Sequence, residues 1–204
     1  MQRLLCTRCG DSIHPDTAAR NNGLCMPCVN GNQLTIQERT ERHRQQREAE
    51  RAFRESPAHK YWVALVDRVY NTPAGFEGLP HGDRLYYLLS VLTGEVHNGG
   101  FDQFFSNSSG KHYAETVSAL TEASDVVSLQ LLQAAKDVLF GQQEVPIDRR
   151  ARFEAMATSS EDLPGYDAAY QALDTLDRRF WENAENIDTT LTKIASIYRL
   201  YGEP

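Results

Sequence analysis

Beyond residue 28 the chain of 204 residues contains no cysteine, so no disulfide can brace the greater part of it. Nowhere is there a run of about 18 apolar residues, which excludes a membrane-spanning helix. Met1 to Leu5 carry no apolar stretch of roughly 7–15 residues, so the start does not read as a secretory signal and a cytoplasmic location is expected. Strand-like alternation is absent after residue 56, and no internal repeat is seen. Missing too are a nucleophile elbow, a phosphate loop, an HExxH helix and a paired-carboxylate metal motif. His14, His43, His59, His81 and His112 are scattered without ligand spacing. The expectation from these absences is a protein that is not an enzyme.

What the front does contain is Cys6, Cys9, Cys25 and Cys28, in the spacing C-x2-C-x15-C-x2-C. Each C-x-x-C turn can aim two thiolates at one tetrahedral ion, and four thiolates leave no open position for chemistry. Paired cysteines without a signal point to metal in a reducing compartment rather than to disulfides. A segment of about 30 residues with so little apolar mass needs such a cross-link to fold. A structural Zn2+ is the expected cofactor, preferred over iron for an isolated four-cysteine knuckle. Gly10 and Asn22-Gly23 are turn signals that let backbone amides fold back on the sulfurs.

The organisation expected is a zinc ribbon over 1–34, a charged linker helix over 35–56 and an all-α domain over 57–204. Thr35 to Glu38 is a capping-box pattern, and Arg39 to Glu55 is nearly all charged or Gln, which reads as a solvated spacer helix. Ser56-Pro57 reads as the N-cap and first position of the next helix. Seven stripes at spacings of three and four then follow, and we read them as core. They run through Tyr61 to Tyr70, Leu85 to Val96, Val117 with Leu120, Val127 to Leu139, Phe153 with Met156, Tyr166 to Phe180, and Ile187 to Tyr201. The fold class predicted is all-α, a multi-helix bundle-like body behind a small ribbon. Residues 1–56 hold nine arginines against seven carboxylates, a balance of +2, whereas 57–204 hold twelve basic residues against 21 carboxylates, a balance of −9. The body is therefore the acidic part, suited to basic surfaces and not to nucleic acid.

One segment departs from ordinary bundle sequence: Glu95-Val96-His97-Asn98-Gly99-Gly100-Phe101-Asp102-Gln103-Phe104-Phe105-Ser106-Asn107-Ser108-Ser109-Gly110. Paired glycines end one helix and permit φ > 0, phenylalanines supply a core face, and the amides can satisfy orphan backbone groups. This string resembles the signature of the bacterial DUF4375 family over roughly residues 57–204. It is carried by Glu95, Asn98, Gly99, Gly100, Phe101, Gln103, Phe104, Phe105, Asn107, Ser109 and Gly110. Where this chain has His97 the family often has Asn, which weakens a catalytic histidine. The front is similar to small bacterial zinc ribbons, through Cys-x-x-Cys-Gly and Gly-Leu-Cys-x-x-Cys. The resemblance implies an acidic all-α fold that can dimerise and that binds a DNA-binding protein in place of DNA.

Mimicry needs carboxylates in rows. One helical turn separates side chains by about 5–6 Å, a ladder comparable with DNA phosphates. Asp167, Asp174 and Asp177 share a face by spacing, Glu182, Glu185 and Asp188 form a second set, and Asp162 precedes a helix start. These seven are the candidate partner-binding residues, with Arg149, Arg150, Arg152, Arg178 and Arg179 as basic interruptions. Two rival readings remain: direct nucleic-acid binding by the ribbon and Arg-rich helix, and an enzyme built on Glu95, His97 and Asp102.

Overall fold

The computed structural model describes residues 3–31 and 36–201; the proposed capping box at Thr35 lies outside them. The chain separates into two compact units, 1–56 and 57–204.

In the first unit, β1 (Leu4–Leu5) pairs antiparallel with β2 (Ser12–Ile13) and sets the first cysteine pair in the intervening turn. Helix α1 (Pro15–Arg20) and the single turn α2 (Met26–Val29) follow, the latter carrying Cys28. Helix α3 (Ile36–Glu55) is exposed along nearly all of its described length, and its Phe53 is 64% exposed. Twenty residues at about 1.5 Å each make it about 30 Å long. The Arg39 guanidinium donates to both carboxylate oxygens of Asp11, at 3.0 and 2.6 Å, which ties α3 back to the knuckle.

The second unit is built of α4 (Pro57–Asn71), α5 (His81–Ser106), α6 (Tyr113–Glu122), α7 (Val126–Phe140), α8 (Arg149–Ala155), α9 (Tyr166–Glu182) and α10 (Ala184–Tyr198). Short 3-10 turns lie at Phe76–Gly78 and Ser108–His112. The body is all-α, as the seven stripes predict. Its axis is α5, whose Leu85, Leu88, Leu89, Leu92 and Val96 are buried ahead of the paired glycines and whose Phe101, Phe104 and Phe105 are buried behind them. Helices α6, α9 and α10 pack on α5, and α7 packs on α6 and α9.

Two buried carboxylates pin this packing. Asp83 accepts from the Tyr61 hydroxyl at 2.5 Å and pairs with Arg68 at 2.7 Å, joining α4 to the start of α5. Asp125 caps α7 through the Ser128 amide and accepts from Asn186 of α10 at 2.7 Å. The expected stripes prove too wide at their edges: Tyr70, Val127, Phe153, Tyr170 and Ile197 are exposed, so they belong to the surface. At the start of α4, the Ser56 hydroxyl donates back to the Phe53 carbonyl at 2.7 Å.

Candidate functional site

The four cysteine sulfurs lie within 4.8 Å of one another, and no disulfide joins them. A tetrahedral ion with Zn–S bonds of about 2.3 Å requires sulfurs about 3.8 Å apart; Cys9 and Cys25 are 3.6 Å apart. Local backbone produces this arrangement. Gly10 and Gly23 adopt φ of +75° and +80°, values open to glycine, and close the turns that follow the first cysteine pair and precede the second. The Cys6 amide donates to the Asp11 carbonyl, the Thr7 amide to that of Gly23, and the Cys25 amide to the Cys6 sulfur at 3.2 Å.

The electrostatics of this cluster call for a cation. Burial alone pushes the Cys6 thiol up, but the amides of Cys25, Cys9 and Arg8 directed at its sulfur outweigh that and bring it down to about 6. Burial raises Cys9, and burial with the adjoining thiols raises Cys28. One sulfur ionises readily while its neighbours resist a second and third negative charge. A metal ion removes that resistance, so the donor set fits one metal held by Cys6, Cys9, Cys25 and Cys28.

In the body, the family-like string forms a break inside α5. Gly99 and Gly100 leave helical geometry, with Gly100 at φ +74° and ψ −177°. Helix α9 seals both sides of the break. The Trp181 indole donates to the Val96 carbonyl at 3.1 Å, and the Asp177 carboxylate accepts the Phe101 amide at 2.8 Å, capping the second half of α5. Asp177 is therefore withdrawn from the proposed partner-binding row: it is turned inward, where burial raises its carboxyl above the usual range. A β-carbon on Gly100 would lie 2.2 Å from the Asp177 carboxylate. Gly100→Ala combines a forbidden φ with loss of that cap, and should cost about 2–4 kcal/mol, read as a lower denaturant midpoint. A change below about 1 kcal/mol would show that the break does not need glycine.

Two amides of the string, Gln103 and Asn107, serve a side chain rather than the backbone. Glu95 accepts from Gln103 at 2.7 Å, Asn107 at 2.9 Å and Ser109 at 3.0 Å. Of the carbonyls at the end of α5, that of Phe104 accepts from the Ser109 hydroxyl at 2.9 Å, and those of Phe105, Ser106 and Asn107 are met by arginines of α8. Arg152 is fully buried and donates to the carbonyls of Phe105, Asn107, Pro146 and Ile147. Arg149 donates to the Ser106 carbonyl at 3.0 Å. Gly110 makes room, since its β-carbon would stand 2.6 Å from the Arg152 Nε. Arg152 is thus no interruption of an acidic surface. Sequence reasoning missed the roles of both Arg152 and Trp181, because the acceptors that tie them to α5 lie 45 or more residues away in the chain.

Glu95, His97 and Asp102 do not converge. Glu95 is held by the three donors above, a ring nitrogen of His97 lies 2.8 Å from the Thr93 carbonyl, and Asp102 accepts from the Thr158 hydroxyl at 2.5 Å. Of the acidic row, Asp162, Asp167, Glu182, Glu185 and Asp188 are exposed, and none of the five is in an ion pair among the described residues. Asp174 is paired with Arg178 at 2.6 Å. In the first unit, Arg39 and Arg44 of the arginine stripe are taken up by Asp11 and Glu41.

A four-cysteine knuckle joined to an acidic helical body organised on one broken helix defines the class. The profile described as DMP19-like protein matches residues 77–199, more than half of the chain, and the chain belongs to this family. The match spans α5 to α10, leaving α4 and the knuckle outside it, and it carries the DMP19-like description rather than the DUF4375 name. Comparison with curated proteins and with solved structures gives no match.

Proposed function

We propose that the protein is a non-enzymatic interaction module whose acidic helical body takes the place of DNA on the basic surface of a DNA-binding protein. The family match carries this reading, since the DMP19-like family suggests a DNA-mimic role. Physical support comes from the −9 balance of residues 57–204 and from the exposed carboxylates of α9, α10 and the loop before α9. Rigidity supports it too, because a mimic must hold its charges in place before binding, and α9 is locked to α5 by Asp177 and Trp181. We further propose that Zn2+ occupies the four-cysteine cluster as a structural ion and that no group in the chain acts catalytically.

The test is capture of a DNA-binding protein followed by competition with duplex DNA. Binding should weaken steeply with salt, because the screening length falls from about 10 Å at 0.1 M to about 3 Å at 1 M. Changing Asp162, Asp167, Glu182, Glu185 and Asp188 together to Asn or Gln should lower affinity by about ten- to a thousandfold, chiefly through the association rate. A partner that binds equally well with duplex DNA present, or whose affinity ignores salt, overturns the proposal.

A further inference from the structure

The body also contains a cleft of about 580 Å³ between α4, α5, the two 3-10 turns and α6. Small-molecule sites span roughly 300–1,000 Å³, so its size suits a compact ligand. Its walls are aromatic at one end. Trp62 stacks on Tyr87 with centroids 5.9 Å apart, Phe76 lies 5.7 Å from Tyr87, and the His112 ring lies 4.2 Å from Phe76. Burial keeps the Tyr87 phenol protonated, and it donates to the Tyr70 hydroxyl.

Glu95 also lines the cleft. Its three contacts are neutral donors, which hold the carboxylate in one orientation, and it has no ion-pair partner among the described residues. The other charged groups of the lining are both exposed: Glu77, which pairs with Arg84 at 4.0 Å, and Lys111. His112 contributes little positive charge, because burial and the neighbouring Lys111 depress its basicity. An oriented carboxylate without a counter-cation, set beside aromatic faces, is the chemistry that recognises a cation with an apolar body.

We propose that this cleft binds a small organic cation, an aromatic ammonium or amidinium, with its charge against Glu95 and its ring among Trp62, Phe76 and Tyr87. This site is separate from the exposed acidic residues, so its failure would leave the interaction function untouched.

Calorimetric titration of the intact, metal-loaded chain tests it with two matched pairs: benzamidine against benzamide, and phenethylamine against phenethyl alcohol. Each cation should bind saturably and about tenfold or more tighter than its uncharged counterpart. Glu95→Gln should erase that preference. Because Glu95→Gln disturbs a hydrogen-bonded network, Val66→Trp serves as a second variant: Val66 lines the cleft from α4 and takes no part in the Glu95 hydrogen bonds, and the larger side chain should occupy ligand space and weaken binding while the helical circular dichroism is kept. Absence of saturable binding by both cations overturns the proposal. So does equal binding of charged and uncharged probes, or unchanged affinity in a folded Val66→Trp variant.

Discussion

Replacing Arg152 by methionine is expected to destabilise the body by about 3–5 kcal/mol, a large share of the roughly 5–15 kcal/mol available to a domain. The side chain is wholly buried, with no carboxylate among its partners. Burial lowers its basicity, yet a guanidinium stays charged at any physiological pH. Its compensation is four backbone carbonyls, two of them at the C-terminal end of α5, where the helix dipole is negative. Methionine fills similar volume but leaves those carbonyls unsatisfied in the interior. Lysine restores charge but not the planar fork, so Arg152→Lys should recover less than half of the loss. Both are read as midpoints of chemical denaturation at constant slope. A methionine variant within about 1 kcal/mol of the parent would mean that water or a shifted loop satisfies the carbonyls without the guanidinium.

How much of this was legible in the sequence follows the range of the interactions. The helices of the body could be read because a period of three and four is local, and each of the seven stripes corresponds to one of α4 to α10. Periodicity gives the centre of a buried face but not its edges, which is why Val127 and Ile197 were assigned to the core although they are exposed. The need for glycine at Gly100 was legible from the residue type; its other reason, the Asp177 carboxylate standing where a β-carbon would be, was not. Asp177 reads as one rung of a surface ladder by spacing, and only the amide of Phe101, 76 residues away, turns it inward. Arg152 reads as surface charge because an arginine is rarely buried without an acid, and backbone carbonyls have no sequence signature. The cleft beside Glu95 draws its walls from α4 to α6 and was invisible for the same reason. The four-cysteine cluster was the reverse case, since its thiols come in two local turns whose spacing is itself the metal-site signal.

Removal of metal should produce the second large effect, confined in its readout to residues 3–31. Apart from the cysteines, the buried apolar residues there are only Ile13 and Ala18, too little to order about 30 residues against a backbone entropy cost of about 1–2 kcal/mol each. Structural zinc supplies about 10–16 kcal/mol in comparable peptides, so on the proposal that zinc fills the cluster it is the ion, not the packing, that decides whether this segment folds. With a strong chelator, the amides of Cys6, Thr7, Gly23 and Cys25 should lose their protection from hydrogen exchange. Each donates a hydrogen bond inside the knuckle: Cys6 to the Asp11 carbonyl, Thr7 to that of Gly23, Gly23 to that of Ala18, and Cys25 to the Cys6 sulfur. Cys6→Ser should mimic chelation most fully, because Cys6 holds the sulfur that the Cys25 amide binds and that ionises at about 6. Zinc titrated back into the parent protein should restore protection at one equivalent and release protons as the remaining thiols ionise. Protection that survives chelation would show that hydrogen bonds alone suffice to order the knuckle, and would remove the structural role proposed for the metal.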